Sequence, residues 1–345
     1  MEVFPGIHQI KSPIPNNPLG YINAYLVRGA AGWLLVDTGW NSSKSLQSIE
    51  DQLGTIGVGF GDISQIIITH IHPDHYGLAA KIKELSGAHL AMHQKEREFV
   101  EFRFGQTKDG ASQLMRMLQH LRSTGMPNED LERLGKAFPQ TRDAFPPAAV
   151  PDTVLEGGMS VSTGLFNFEV IWTPGHSPGH ICLYERSKNI LLSGDHVLPT
   201  ITSNIGYHPH SGENPLGDYL ASLDQLKKLE VDHIFPAHEY IFNNLPLRVD
   251  ELFAHHDQRL QDILDASQGE MKTGYEIASS IPWVIETDNN KIVSFKDLST
   301  FDRWLALGET MAHIVLLLIR GDMEKDEKDD VMLLRACDSD NMRLS

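Results

Sequence analysis

The chain has 345 residues, 41% of them hydrophobic and 22% charged, a balance that excludes a disordered or fibrous polypeptide and allows a catalytic domain plus a smaller unit. Its 46 acidic and 29 basic residues leave a formal charge of -17, which repels polyanions, so nucleic acid is not the expected partner. Two cysteines, Cys182 and Cys337, are too few for a disulfide framework, no apolar run reaches the roughly 20 residues of a membrane span, and the opening MEVFPGIHQIKSPIP has no signal-peptide pattern, so a cytoplasmic protein is expected.

The first predicted elements are strands at 22–27 and 33–36, the second stopped by Asp37-Thr38-Gly39, which together read as a hairpin. A helix follows over 43–53, and then the β-branched run Gln65 to Ile68 ends abruptly in Thr69-His70. A second helix over 78–85 leads through Gly87 to a strand at 89–92. Residues from about 95 to 147 change character, with Met115, Met117, Leu118 and Leu121 at helical spacing, and read as an inserted helical cap. Strands return at 168–172, 181–184, 190–192 and 233–235, with a helix over 216–229 between the last two. After about residue 266 the chain reads as a separate small unit, with buried helices over 298–319 interrupted at Gly308 and a short terminal strand within KDEKDDVMLLRA.

Four loops share one property: each follows a short apolar strand and presents His or Asp where that strand ends. They are THIHPDH (Thr69 to His75), TPGHSPGH (Thr173 to His180), SGDH (Ser193 to His196) and PAHE (Pro236 to Glu239). Strand ends put loop residues on one rim of a sheet, where a rigid scaffold aims them at a common point. His70, His72, Asp74, His75, His176, Asp195 and His238 offer imidazole and carboxylate but no thiolate, a donor set that suits zinc, iron or manganese. Seven donors exceed one tetrahedron, and sharing Asp195 between two divalent ions, zinc being the first expectation, gives each ion a nearly complete shell with room for a bridging water. His180 is expected to be structural, and His255 and His256 to be packing residues.

THIHPDH resembles the HxHxDH signature of the metallo-β-lactamase superfamily, with the later His, Asp and His in the same order, and the resemblance covers about residues 1–261. It implies an α/β fold, a four-layer αββα sandwich, with a catalytic domain over 1–265 and a winged-helix-like unit over 266–345. It further implies that His70, His72 and His176 hold one metal, that Asp74, His75 and His238 hold the other, and that Asp195 bridges them. Asp37 in VDTG matches a buried acid that orients a ligand His from behind. Tyr207, His208 and His210 stand where relatives shape the substrate pocket.

The implied chemistry is attack by a metal-bridging hydroxide, oriented by Asp74, on a small ester, thioester or lactone, as in the glyoxalase II-like branch. Alternatives of the same resemblance are a metal-dependent RNA nuclease and a mononuclear iron sulfur dioxygenase. The nuclease is opposed by charge, since residues 269–345 carry fifteen acidic and nine basic residues. The expected partner is a small molecule, with no membrane contact; assembly into a homo-oligomer stays open.

Overall fold

Strand alternation sorts the apolar side chains onto two faces in the computed structural model, which describes residues 1–15, 17–104, 110–142, 148–285 and 291–337. In β1 (Glu2–Phe4), β2 (Ile7–Pro13), β3 (Tyr21–Arg28), β4 (Trp33–Val36), β5 (Ile63–Ile67), β6 (His89–His93) and β7 (Thr153–Leu155), neighbours in sequence are neighbours in one sheet. The first three pairings are antiparallel and the last three parallel. A second sheet has the order β12 (His233–Pro236), β11 (Ile190–Gly194), β10 (Ile181–Glu185), β9 (Asn167–Trp172), β8 (Ser160–Ser162).

Tyr25, Val27, Leu34, Val36 and Ile67 of the first sheet share a buried cluster with Phe168, Val170, Leu183, Leu192 and Phe235 of the second, so the two sheets pack face to face. The alternate residues Ala24, Leu26, Leu35 and Ile66 point the other way, into a cluster with Ile49, Leu53, Ala79 and Ile82 from the helices Ser43–Thr55 and Ala79–Ser86. Both faces of the first sheet are therefore buried, which is why its strands read as continuous apolar runs. This is the αββα sandwich. β1, β2, β7 and β8 went unpredicted because they are short or, in HQIKS, interleave polar residues without a clean period.

Direction explains the rim. β10 lies antiparallel between β9 and β11, so those two run the same way, and β12 is parallel to β11. Their C-terminal ends, which carry the motifs of His176, Asp195 and His238, thus share one edge. β4 and β5 are parallel and end at Asp37 and the Thr69 loop. The Ile181 N–H donates to the Thr69 carbonyl at 3.0 Å and the Asn23 N–H to the Ala237 carbonyl at 2.7 Å, joining the two sheets at that edge.

The chain divides into two compact units, one made of Met1–Lys108, Gln140–Ser203 and Ser222–Arg248, the other of Asp109–Pro139, Asn204–Ala221 and Val249–Ser345. In the second unit the helices Gly110–Ser123 and Asn128–Arg142 are tied to the C-terminal segment. Asp130 accepts from Tyr275 Oη at 2.7 Å and pairs with Arg303 Nη1 at 3.2 Å, while the Tyr275 N–H donates to the Thr124 carbonyl at 2.9 Å. Leu121 is buried as its spacing suggests, but Met115 is 64% exposed. Residues 105–109 and 143–147 of the expected cap lie outside the described residues.

One expectation for the C-terminal segment needs correction and one is extended. The helix Thr300–Arg320 runs unbroken through Gly308, since one glycine costs a helix interior only about 1 kcal/mol, and the Gly308 carbonyl also accepts from the Tyr207 N–H at 2.9 Å. The terminal strand is half of a hairpin, Met323–Lys328 with Val331–Ala336, whose first arm, MEKDEK, is nearly all exposed and so lacks an apolar signal. Among the described residues no helix is long and apolar enough to cross a membrane.

Candidate metal centre

The seven predicted side chains meet in two groups, His70, His72, His176 and Asp195 in one and Asp74, His75 and His238 in the other. In the first, His72 Nδ1 lies 2.9 Å from both His70 Nε2 and His176 Nε2, which are 3.2 Å apart. Such a triangle is close to the roughly 3.3 Å edge of a tetrahedron whose metal–nitrogen bonds are about 2.0–2.1 Å. Asp195 faces both groups: Oδ2 is 3.5 Å from His176 Nε2, and Oδ1 is 3.3 Å from His75 Nε2 and 3.4 Å from His238 Nε2. Asp74 Oδ2 lies 3.4 Å from the same His238 nitrogen.

The donor atoms fit a cation better than they fit one another. His75 Nε2 and Asp195 Oδ1 are buried and near, yet misaligned for a hydrogen bond, as expected of atoms aimed at a common third point. Burial first, then the crowding of other imidazoles, holds His70 well below the usual histidine range; burial and His176 push His72 down to about 3. Both rings are therefore neutral, the form that binds metal. His75 and His238 behave oppositely. Burial opposes their charge, but Asp195 with Asp37 and Asp74 raises His75, and Asp195 with Asp74 raises His238 to about 10. Asp74 in turn, despite burial, is drawn down to about 2 by His75 and His238, and Asp195 falls well below its ordinary value.

The supporting contacts fix ring orientation. Asp37, in the left-handed region at φ 61°, accepts the Thr69 N–H at 2.8 Å through Oδ1 and lies 2.8 Å from His75 Nδ1 through Oδ2. Thr69 Oγ1 lies 3.1 Å from His70 Nδ1, which leaves His70 Nε2 for the site. His180 binds Thr173 Oγ1 through Nδ1 at 2.8 Å and accepts the Asp195 N–H through Nε2 at 3.2 Å, so it positions the carboxylate backbone. Asn23 Nδ2 donates to the carbonyls of Pro236 and Glu239, and Tyr25 Oη to that of Pro236 at 2.7 Å, clamping the loop of His238 from both sides. Glu96, 1% exposed, accepts from Ile71, Ser177 and Gly179. None of Asn23, Tyr25 and Glu96 stood out in sequence; Glu96 sits in QKERE, the pattern of an exposed helix.

Tyr207, His208 and His210 are placed in the second unit. The Tyr207 carbonyl lies 3.3 Å from His120 Nε2, and the His210 N–H donates to His208 Nδ1 at 3.3 Å. His256, also there, is buried against His313, its Nδ1 3.1 Å from His313 Nε2.

Residues 17–238 match the family model described as the metallo-beta-lactamase superfamily. The chain belongs to that superfamily. It is accordingly an enzyme, a metal-dependent hydrolase, and its two His/Asp groups could each hold a metal ion. The "Probable metallo-hydrolase YqjP" of Bacillus subtilis (strain 168) is 28% identical over 89% of this chain and 91% of its own length. The "Acyl-coenzyme A thioesterase MBLAC2" of Gallus gallus is 29% identical over 64% of this chain and 73% of its own. Among solved structures, the metallo-beta-lactamase family protein TTHA1429 from Thermus thermophilus superposes with a TM-score of 0.81 at 29% identity, covering 97% of this chain and 100% of that one.

Proposed function

We propose that this superfamily member is a dinuclear hydrolase of a small acyl compound, with a thioester as the leading substrate class and an ester or lactone as its neighbours. The observation that carries the reading is the division of Asp195, one carboxylate oxygen turned to each group of imidazoles. His70, His72 and His176 would hold one ion, Asp74, His75 and His238 the other, and Asp195 both. Bound divalent ions, zinc being the first expectation, supply Lewis acidity and lower the pKa of water enough to furnish a nucleophile at neutral pH.

The chain's own residues do the rest. Neutral His70 and His72 present lone pairs without first losing a proton. Asp37 accepts the hydrogen bond of the His75 Nδ1–H and so turns Nε2 inward. Asp74, kept anionic, orients the attacking water by accepting its hydrogen bond. All seven side chains are engaged in this scheme, which leaves none of them to protonate a leaving group. A thiol, with a pKa of about 8.5, departs as its anion far more readily than an alkoxide, whose conjugate acid is nearer the 15.7 of water. That asymmetry favours the thioester, as does the name of the Gallus gallus relative.

The order of helix Gly274–Ser280, hairpin, helix Thr300–Arg320 and hairpin supports reading 266–345 as winged-helix-like. The tip Glu324 to Asp330 carries five acidic and two basic residues, which disfavours a duplex as its partner.

The test is elemental analysis of protein purified without added metal, with assays against a thioester, a lactone and a short RNA. Two ions per chain and thioester turnover lost in Asp195→Ala are expected. One iron per chain without hydrolysis would overturn the reading in favour of an oxygenase, and RNA cleavage that falls steeply with salt would overturn it in favour of a nuclease.

A further inference from the structure

Glu96 lies on the helix Gln94–Phe104, outside all four motifs, yet its carboxylate reaches two of them. Oε2 accepts the N–H of Ile71, the residue between His70 and His72, at 3.0 Å. Oε1 accepts the Gly179 N–H at 2.6 Å and the hydroxyl of Ser177, the residue after His176. The loop is shaped to admit it: a Cβ on Gly179 would stand 2.8 Å from the Glu96 Cγ, N and Oε1. A buried carboxylate is costly unless its oxygens are satisfied, and here each oxygen is satisfied by a different loop.

We infer that Glu96 is a positioning residue that locks the loop of His70 and His72 to the loop of His176, and so sets the geometry of the three-imidazole group. The second group has anchors of its own. Asp37 and Thr38 hold His75, the latter through the His75 carbonyl at 2.7 Å, and Asn23 and Tyr25 hold the loop of His238. Loss of Glu96 therefore loosens one metal position and spares the other. The inference rests on the proposed metal assignment and has a readout independent of turnover.

The experiment is a cobalt(II) titration of the metal-stripped full chain, followed by visible absorption, with His72→Ala and His238→Ala identifying the step that belongs to each group. In Glu96→Gln one carboxylate oxygen becomes an NH2 that confronts a backbone N–H, so one of the two attachments is lost while the side chain keeps its size. The expected result is a weakening of the three-imidazole step by roughly 10–100-fold, the range for partners of metal ligands. The other step should change by less than about threefold, and kcat should fall with KM little altered. Ser177→Ala, which removes one donor and no buried charge, should weaken the same step to a smaller degree, and it carries the test if Glu96→Gln does not fold. Unchanged steps, or both steps weakened alike together with a lowered Tm, would overturn the inference. A wild-type chain that takes up a single cobalt would instead overturn the dinuclear reading, while the effect of Glu96→Gln on that one ion still decides the role of Glu96.

Discussion

Asp37 Oδ2 and His75 Nδ1 lie 2.8 Å apart with both side chains buried, and the other oxygen of the same carboxylate accepts the N–H of Thr69, the first residue of the THIHPDH loop. One acid thus fixes both the tautomer of a ring and the start of its loop. Asp37→Asn isolates the first role, since Asn tolerates the left-handed backbone at φ 61°. If the amide oxygen keeps the Thr69 N–H, the NH2 faces His75 Nδ1, which must then accept; the ring proton moves to Nε2 and points into the site. Metal affinity at the Asp74, His75 and His238 group should fall about 10–100-fold with little change in Tm. Metal stoichiometry at limiting zinc, measured alongside thioester turnover, checks this.

Acid should destabilise the second unit through His313. Its Nδ1 donates to the Glu309 carbonyl at 2.8 Å and its Nε2 faces His256 Nδ1; burial pushes its pKa down to about 3, and burial together with His313 holds His256 well below the usual range. The folded chain thus keeps His313 neutral at pH values where the unfolded chain takes up a proton. Stability is full above the unfolded pKa near 6.5 and is lost as pH falls below it. At about 1.4 kcal/mol per pH unit, His313 alone accounts for about 2 kcal/mol between pH 6.5 and 5. Urea unfolding at several pH values should show a shallower acid slope in His313→Gln than in the wild type; equal slopes would refute the assignment.

What was legible in the sequence follows from where the information lies. The convergence of His70, His72, Asp74, His75, His176, Asp195 and His238 could be read because residue types able to bind metal are few and sit where apolar strands stop. Asp37 was legible for the same reason, at the end of WLLV. The residues that aim these groups were not. Asn23 and Tyr25 look like ordinary strand positions, and Glu96 looks like helix surface, since a buried acid carries no local mark of its burial. Gly308 misled because a glycine that ends a helix and one that a long apolar helix simply tolerates have the same letter.

Gly77 shows how little space the metal loop leaves. A Cβ there would stand 2.3 Å from the Pro73 carbonyl oxygen and 2.6 Å from both the Asn41 nitrogen and the Gly39 oxygen, all backbone atoms that cannot rotate away. Gly77→Ala should therefore cost at least about 3 kcal/mol, the upper part of the range for overpacking. It should also displace the short helix Pro73–Tyr76, which bears Asp74 and His75, and lower zinc occupancy of that group. Gly54→Ala, in the helix Ser43–Thr55 with nothing beyond the adjoining helix backbone within 4 Å of the new carbon, is the control and should stabilise by about 0.4–1 kcal/mol. Thermal unfolding of both variants, with zinc content for Gly77→Ala, makes the comparison.

Asp130 joins the helix Asn128–Arg142 to two distant parts of the C-terminal segment, Tyr275 and Arg303. It is 6% exposed, so its carboxylate has little access to water as a substitute for these partners. Asp130→Ala strands a phenol and a partly buried guanidinium, each of which loses a charge-assisted partner, and should cost about 1–3 kcal/mol. Asp130→Asn retains one acceptor and the shape, and should cost less. Tyr275→Phe removes only the phenol contact. If the three residues act as one tie, the loss in the double variant Asp130→Ala/Tyr275→Phe will be smaller than the sum of the single losses, by about 0.5 kcal/mol or more. Additive losses would mean that the carboxylate acts through its arginine partners and not through Tyr275. Hydrogen exchange of the two helices in the same variants separates the outcomes: a shared tie predicts that amides of Asn128–Arg142 and Gly274–Ser280 lose protection together, because opening either helix breaks the same carboxylate contact.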